Sequence, residues 1–427
     1  MASPFARSGT TAVHPPIARA ARLLAVLIAI SPALPAAGQA QQAAPATDSV
    51  PQVDVLDLIG RVFGKKGKQE AGLPDTLKNA PPPEGRIMTI LPSFSVNPAT
   101  GVQLGVSGNV VRRFGPREST NLSYLNAGVS YTTKGQFNVT WRSNVFLSGN
   151  RLKFEGDWRY LDTKQPTYGL GAAHPESDRD DMDFRLFRFY QTIYWRVYRR
   201  LLIGPGYLLD YHFNIRDHNA DAGLPSPVVD YHGGYPTSTT SSGVSFNALI
   251  DTRDSPIYAT RGLLAYASAR SFPSWLGSDD TWRELQLEVR FYQRLDAATR
   301  HVIAFWGFGR VDDGLTPYLD LPAIGWDTNN RTGRGYPQGR IRGTKGLYGE
   351  AEYRVVLTRN GLLGAAAFVN ATSAADATTR RLQPADFGGG GGLRIKLNKR
   401  SRSNITIDYG VGAQGSKGLF LSGSEAF

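Results

Sequence analysis

The alternation of apolar and polar side chains after residue 86 constrains the fold more than any other feature of this sequence. It is clearest in four segments, 136–148, 151–161, 185–199 and 283–295. In the last of these, Leu287 and Val289 alternate with Glu288 and Arg290. Because successive side chains of a strand point to opposite faces of a sheet, a period of two predicts β-strands with one apolar and one polar face.

Two all-β architectures produce this pattern. A soluble sandwich turns its apolar faces inward, whereas a membrane barrel turns them outward to lipid and keeps the polar faces in a wet lumen. The polar faces here carry charges of both signs, which suits a solvated and internally paired lumen. The segments run for about ten residues or more, enough for a tilted strand to cross a bilayer, and Trp and Tyr fall near their ends. The sequence therefore predicts a transmembrane β-barrel.

Sixteen segments qualify as strands of an antiparallel barrel. They are 87–97, 102–113, 119–132, 136–148, 150–162, 184–199, 201–213, 242–252, 261–271, 281–295, 299–311, 344–357, 361–371, 388–397, 402–411 and 417–427. If the first strand starts in the periplasm, every second connection should be a short periplasmic turn. Short connections do fall at 149–150, 198–200, 296–298, 358–360 and 398–401, and long ones on the other side at 163–183, 214–241, 312–343 and 372–387.

Residues 1–40 are predicted to be a signal peptide. Arginines precede the apolar run Leu23–Ile30, and small residues before Ala40 offer a cleavage site. An uncleaved anchor is the alternative, but the apolar run is about half of the ~20 residues that a spanning helix needs. We therefore expect export with cleavage.

Residues 41–85 are rich in Pro and Ala and are predicted to be a periplasmic linker, which leaves 86–427 for the barrel. An amphipathic patch at 53–63 interrupts the linker. It predicts either a short helix that lies on the membrane or plugs the barrel, or a transient helix in a flexible tail.

Composition argues against several classes of function. The net charge is +12, but no block of Lys and Arg resembles a nucleic-acid-binding arm. There are no cysteines, so disulfides and Cys-based metal or redox sites are excluded, and the six His form no zinc motif. No Gly-x-Ser-x-Gly elbow or plausible Ser/His/Asp set occurs. We expect neither an enzyme nor a cofactor or metal, and no nucleic acid as a partner.

Three stretches give weaker signals. Residues 217–221 begin like a calcium loop but lack its Gly and its final Glu. The aspartates between 178 and 183 are candidates for divalent ions that bridge lipopolysaccharide. Gly388–Gly392 lacks the ending of a phosphate-binding loop, and we interpret it as a bend where small residues relieve crowding.

A loop rich in Gly and Arg, 333–343, precedes the twelfth strand. We predict that it folds into the lumen and is anchored by Arg334, which stays charged and needs carboxylate partners when it is desolvated. The candidate partners lie on the polar faces of the twelfth and tenth strands: Glu350, Glu352, Glu284 and Glu288. Gly335 would allow close backbone approach, and Tyr336 would pack on the lumen wall. The alternative is an exposed loop that binds lipopolysaccharide phosphates.

Four short motifs follow one another along the chain. They are Asp251-Thr252-Arg253-Asp254…Thr260-Arg261-Gly262, Arg334-Gly335-Tyr336, Glu352-Tyr353-Arg354 and Gly392-Leu393-Arg394. In this order and spacing they resemble the C-terminal barrel of the BamA/TamA-like bacterial surface antigen superfamily, whose members insert or secrete outer-membrane proteins. The resemblance implies a sixteen-stranded barrel, a periplasmic turn motif at Asp251, Arg253, Asp254 and Gly262, and a sixth extracellular loop whose Arg-Gly-Tyr tip lies in the lumen.

The sequence departs from that superfamily at three points. The short stretch between residues 40 and 86 leaves no room for the periplasmic POTRA modules of the family. The Asp that often approaches the loop arginine is replaced by Asn370, which offers hydrogen bonds but no salt bridge. The terminal Phe427 fits the expected insertion signal, but Glu425 stands where an apolar residue is more usual.

We therefore expect an integral outer-membrane protein that acts in outer-membrane assembly or in translocation of protein or lipid, with a plugged lumen. A passive pore for small solutes is the alternative. The expected partners are outer-membrane lipid and lipopolysaccharide, an unfolded outer-membrane protein or lipid as cargo, and the barrel assembly machinery for the protein's own insertion. Because 418–427 is rich in Gly and Ser, we expect the last strand to pair weakly with the first.

Overall fold

The computed structural model describes residues 52–55, 57–58, 87–116, 118–234, 236–376, 379–399 and 402–427. The predicted signal peptide and most of the predicted linker lie outside these residues. At the described start of the patch at 53–63, Val53 N donates to Asn360 O at 3.0 Å, and the Asp54 carboxylate accepts from Lys399 N at 2.9 Å. This piece therefore lies against the turns at 357–362 and 399–402.

Sixteen antiparallel strands form a closed barrel in sequence order, and β16 pairs with β1 to close it. The strands are β1 (Ile87–Asn97), β2 (Gly101–Arg112), β3 (Ser123–Thr132), β4 (Phe137–Phe146), β5 (Leu152–Thr167), β6 (Asp180–Tyr198), β7 (Leu201–Asp217), β8 (Ser238–Asp251), β9 (Gly262–Phe272), β10 (Trp282–Arg294), β11 (His301–Gly314), β12 (Lys345–Val356), β13 (Leu363–Ala374), β14 (Asp386–Asn398), β15 (Ser403–Val411) and β16 (Lys417–Ser422). The predicted all-β, sixteen-stranded antiparallel barrel is confirmed.

The two ends of the barrel differ in their connections. The turn end carries 113–122, 147–151, 199–200, 252–261, 295–300, 357–362 and 399–402. The loop end carries the four longest connections, 168–179, 218–237, 315–344 (loop L6) and 375–385, as the sequence predicted. Two short helices, α1 (His218–Asp221) and α2 (Pro227–His232), lie in 218–237. No helix in the described part of the chain is long and apolar enough to cross a membrane.

Inward and outward side chains differ as expected for a barrel that faces lipid. In β10, Val289 is 37% exposed and Phe291 is 41% exposed on the outer face. Their neighbours Glu288 and Arg290 point inward and are buried. The polar face is thus the lumen face, and the apolar face is free to contact lipid.

Strands β5 to β8 continue further toward the loop end than the sequence predicted. Pairing of β5 with β6 reaches Thr167 and Asp180, and pairing of β6 with β7 reaches Met182 and Asp217. Consecutive polar residues such as Asp180 and Asp181 interrupt the alternation there, so the period of two gives no signal for these extensions.

Strand β16 is shorter than predicted, because it ends at Ser422 rather than at 427. Leu419 and Leu421 face outward, so a continuous strand would also turn Glu425 and Phe427 outward. A carboxylate on the lipid face of a barrel is unfavourable. Residues 423–427 instead leave the sheet and enter the lumen, where Glu425 and Phe427 are buried.

Candidate functional site

The tip of L6 lies against inward-facing side chains of the barrel wall. The two arms of the loop are joined by a hydrogen bond from Ile324 N to Ile341 O at 3.0 Å. Arg342 forms an isolated β-bridge with Gly171 of the connection 168–179. These contacts give the loop an ordered backbone and bring Arg334 and Tyr336 to the wall, where both are buried.

Arg334 contacts three carboxylates on the inner faces of β12 and β15. Its Nη2 contacts Glu350 and lies 2.5 Å from Glu352 Oε2, and its Nη1 lies 3.1 Å from Asp408 Oδ2. The guanidinium carbon lies 3.7 Å from the centre of the Phe368 ring. Because Arg presents several donors in a rigid fork, a single residue can bind two strands of the wall at once.

The backbone of the tip passes close to β15. Gly335 has a φ of +104°, and a Cβ there would lie 2.8 Å from Val411 O. A Cβ on Gly410 would in turn lie 2.8 Å from Gly335 N. Asn370 Nδ2 donates to Arg334 O at 2.9 Å, so Asn370 holds the loop backbone rather than the guanidinium. Both glycines are therefore needed for this approach.

Tyr336 lies over a second pair of glycines. A Cβ on Gly412 would lie 2.5 Å from the Tyr336 ring, and one on Gly388 would lie 3.0 Å from it. The hydroxyl donates to Phe387 O at 2.7 Å. Strand β14 pairs without a register shift through Gly388–Gly392, so this run contains no β-bulge. The absence of side chains at Gly388 instead makes room for the loop.

The acids that bind Arg334 also bind two further arginines. Arg394 lies 2.5 Å from Asp408 Oδ1 and 3.4 Å from Glu352 Oε2. Arg354 Nε lies 2.5 Å from Glu352 Oε1. We call this group the lumen charge cluster, and it consists of Arg334, Arg354, Arg394, Glu350, Glu352, Asp408 and Glu425. The predicted anchors Glu350 and Glu352 are thus brought together with Arg334.

Besides Arg334, four members of the lumen charge cluster were not among the predicted anchors: Arg354, Arg394, Asp408 and Glu425. The alternation of β14 and β15 places Arg394 and Asp408 on the inner face, which is the signal the sequence offered. Glu425 gave no such signal, because it lies beyond the end of β16.

Glu284 and Glu288, the other predicted anchors, point inward but bind different arginines. Glu284 contacts Arg310 and lies 2.8 Å from Arg270. Glu288 lies 2.5 Å from Arg290. The tenth strand therefore contributes to the charge pairing of the lumen but does not anchor the tip of L6.

The turn motif at 252–261 is held by its own polar groups. Arg253 Nη2 lies 2.8 Å from Asp251 Oδ2. Gly262 has a φ of +107°, and a Cβ there would lie 2.5 Å from Thr252 O. The glycine is required because the chain turns back into β9 at this close approach.

Asp254 is the central acceptor of that turn. Its carboxylate accepts from Thr260 N at 2.8 Å and from Thr260 Oγ1 at 2.7 Å, and Arg402 lies 3.2 Å away. Burial acts to raise the pKa of Asp254, but these donors outweigh burial and hold the pKa below its ordinary 3.8. The motif thus ties the turn after β8 to the turn after β14.

The base of L6 is bonded to the wall through Asp320. Ser241 Oγ donates to Asp320 Oδ2 at 2.7 Å, and Arg310 donates to the Asp320 carbonyl at 2.9 Å. Burial, followed by the negative charge of Asp210, raises the pKa of Asp320 to about 7. A cavity of about 60 Å³ remains between the loop and the wall here.

The residues of the suspected calcium loop have a structural role. Asp217 caps α1 by accepting from Ala220 N at 2.8 Å, and it also accepts from Ser226 Oγ at 2.5 Å. Across the described ranges, no group of three or more His, Asp or Glu side chains is placed to hold a metal ion.

The seam between β1 and β16 is paired at a single position in the described chain, Val96 with Leu421. By contrast, β1 pairs with β2 along its whole length, Ile87–Asn97. L6 reaches this seam, because Arg331 Nη2 donates to the Ser422 hydroxyl and lies 3.3 Å from Ser424 Oγ.

No protein-family model and no curated protein matches this chain. Solved structures do match. BamA from Haemophilus ducreyi, in a form lacking POTRA domains 1–3, has a TM-score of 0.54 at 13% identity and covers 79% of this chain and 70% of that one. CdiB from Escherichia coli has a TM-score of 0.52 at 11% identity. That match covers 79% of this chain but 63% of CdiB, less than two thirds of its length.

The described strands therefore define a closed sixteen-stranded antiparallel barrel whose fold is similar to those of BamA and CdiB. At identities of 11–13% the likeness establishes the fold alone.

Proposed function

We propose that this protein is an integral outer-membrane barrel that acts in outer-membrane assembly or in translocation of protein or lipid, with L6 as a plug in its lumen. The observation that carries the proposal is the β1–β16 seam, where the described residues are paired only at Val96 and Leu421. A barrel that only had to enclose a pore would gain stability by pairing this seam fully.

The open side of β1 gives the proposal its chemistry. Residues 87–95 present backbone N–H and C=O groups on the side of β16 without pairing to it. In hydrocarbon each unsatisfied backbone group costs several kcal/mol. An incoming strand of an unfolded outer-membrane protein would satisfy them by adding to this edge. Pro92 lacks an N–H and therefore limits how regularly any strand can add.

The plug makes the second part of the proposal. Arg334 anchors the tip on β12 and β15, while Arg331 contacts Ser422 at the end of β16. Movement of L6 would therefore change the contact between Arg331 and Ser422 at the seam. The cavity of about 60 Å³ beside L6 has room for a few water molecules.

The remaining expectations belong to this proposal. Residues 1–40 direct export and are cleaved, and the turn end faces the periplasm while the loop end faces the cell exterior. Lipid and lipopolysaccharide surround the barrel, an unfolded outer-membrane protein or a lipid is the cargo, and the barrel assembly machinery inserts the protein itself. A passive pore remains the competing function.

A disulfide across the seam tests the assembly role. The variant Val96→Cys with Leu421→Cys places two thiols at the paired position of a chain that has no other cysteine. The readout is the rate at which reconstituted protein speeds the folding of a urea-denatured eight-stranded barrel protein into liposomes. We expect oxidation to abolish the acceleration and a reductant to restore it.

The matched control is Ala351→Cys with Val369→Cys, which spans the fully paired seam between β12 and β13. Oxidation of this pair should leave the rate unchanged. A seam-locked protein that still accelerates folding would refute lateral opening. If the wild-type protein gives no acceleration, this form of the assembly role is rejected.

Conductance in planar bilayers tests the plug against the pore. We expect the wild type to be nearly closed, and both Arg334→Ala and a variant lacking residues 325–342 to conduct steadily. A large and steady wild-type conductance that neither variant alters would instead establish a passive pore.

A further inference from the structure

The turn-end half of the lumen is occupied by residues 423–427, the sequence Gly-Ser-Glu-Ala-Phe. They follow β16 but pair with no strand, since the last pair of β15 with β16 is Thr406 with Ser422. The side chains of Glu425 and Phe427 are both buried, and each has its own set of partners.

The Phe427 ring lies in an aromatic pocket. Its centre is 5.2 Å from that of Trp306 and 6.0 Å from that of Tyr292, and Ala259 of the turn at 252–261 belongs to the same cluster. Arg354 Nη2 donates to Phe427 O at 2.9 Å, and its guanidinium carbon lies 5.4 Å from the ring centre. One arginine thus binds the backbone and the ring of the same residue.

Glu425 has a separate set of partners on β14 and β15. Arg394 Nε lies 2.7 Å from Glu425 Oε2, and Asn404 Nδ2 donates to Glu425 Oε1 at 2.7 Å. Each carboxylate oxygen is therefore matched by a donor on the wall. The site therefore binds an acidic side chain and, two residues further along the segment, an aromatic side chain.

The wall residues of this site come from five strands and one turn of the barrel, whereas the occupant is a short segment held by its side chains. We infer that the lumen contains a peptide-binding site for a Glu-x-Phe segment, and that residues 423–427 are its resident ligand. Because the occupant makes no sheet ladder, a free peptide of the same pattern can exchange with it. The inference stands whether or not the barrel works in assembly.

A shortened chain that ends at Ser422 tests the site directly. A fluorescein-labelled peptide, Gly-Ser-Glu-Ala-Phe, is titrated into this variant and into the full chain in detergent, with fluorescence anisotropy as the readout. Retention of the heat-modifiable compact band on gels verifies folding. We expect saturable binding to the shortened chain and at least tenfold weaker binding to the full chain, whose site is filled.

Peptide and protein controls define the contacts. Replacing Glu by Gln or Phe by Ala in the peptide should each weaken binding at least tenfold, as should Arg394→Ala in the shortened chain. Arg283→Ala, which changes an exposed arginine at the loop end, should have no effect. Absence of binding by a folded shortened chain, or equal binding by the full chain, would overturn the inference.

The full chain provides a second test that does not rely on folding of the shortened one. In the variant Ala426→Cys, which keeps both Glu425 and Phe427, a water-soluble maleimide should react slowly, because position 426 is buried. Excess unlabelled peptide should displace residues 423–427, here called the tail, and speed the reaction at least tenfold. The peptide with Ala in place of Phe should not. No acceleration at saturating peptide would show that the tail does not exchange.

Discussion

Removal of the Arg334 guanidinium is the sharpest test of how L6 is held. In Arg334→Ala the remaining lumen charge cluster has four acids and two arginines. Glu350 and Glu352 are then buried with less positive charge beside their carboxylates. Loss of one partner of a buried ion pair costs about 3–5 kcal/mol. If that free energy is lost from the state with the loop in the lumen, the population with the tip withdrawn rises roughly 150- to 5,000-fold.

Trypsin measures this population, because several buried arginines lie in L6 and become substrates only when the loop leaves the lumen. Cleavage that is slower than loop reclosure reports the equilibrium fraction of the open form. We expect Arg334→Ala in detergent to be cut within L6 at least 100-fold faster than the wild type. Arg334→Lys should lie between them, since one ammonium cannot span three carboxylates. Arg283→Ala serves as the control for loss of an exposed arginine.

A double-mutant cycle decides whether the contact itself is responsible. Glu350→Ala removes one acid, and the pair Arg334→Ala with Glu350→Ala restores the original excess of one negative charge. The free energy that keeps L6 in the lumen is obtained from the cleavage rates. We expect its decrease in the double variant to be smaller than the sum of the decreases in the two single variants, with a coupling of about 1–3 kcal/mol. Strict additivity, or a cleavage rate of Arg334→Ala equal to that of the wild type, would refute the argument.

Three further predictions follow from the packing and the acids outside the strands. Gly412→Ala should displace Tyr336 and speed L6 cleavage, whereas Gly349→Ala should not, because no atom lies within 4 Å of a Cβ at 349. Since the pKa of Asp254 is lowered in the fold, Asp254→Asn should lower the thermal midpoint at pH 7. That difference should vanish as the pH falls below the folded pKa, and a difference that is constant down to pH 2 would contradict the assignment. Because the pKa of Asp320 is raised from 3.8 to about 7, the folded state holds its proton more tightly and wild-type stability should fall between pH 4 and 7. Asp320→Asn should reduce this slope in a series of thermal melts, and an unchanged slope would contradict the assignment to Asp320.

The barrel itself could be predicted from the sequence because its signal is local. Each strand must alternate to face lipid on one side and the lumen on the other, so residues such as Glu288 and Val289 reveal their faces without knowledge of the partner strand. The long connections gave a second and independent check on the strand count, since they fall at one end of the barrel.

The partners within the lumen could not be predicted in the same way. Alternation places Glu284, Glu352 and Asp408 inward, but which of them meets Arg334 depends on the stagger of the closed barrel and on where L6 crosses it. The exit of residues 423–427 from β16 has the same origin. Glu425 leaves the lipid face because Arg394 is within reach inside, which is a contact between distant parts of the chain.

The lumen charge cluster couples the tip of L6 to the tail. Arg334 and Arg394 both bind Glu352 and Asp408, so they compete for the same oxygens. Glu425 neutralises Arg394 from the other side and thereby leaves more of the shared acids to Arg334. The tail therefore stabilises the tip, and because coupling between two sites is reciprocal, the tip stabilises the tail to the same extent. A peptide that displaced the tail without replacing its carboxylate would loosen the plug, whereas one that supplied Glu-x-Phe in its place would leave the plug closed.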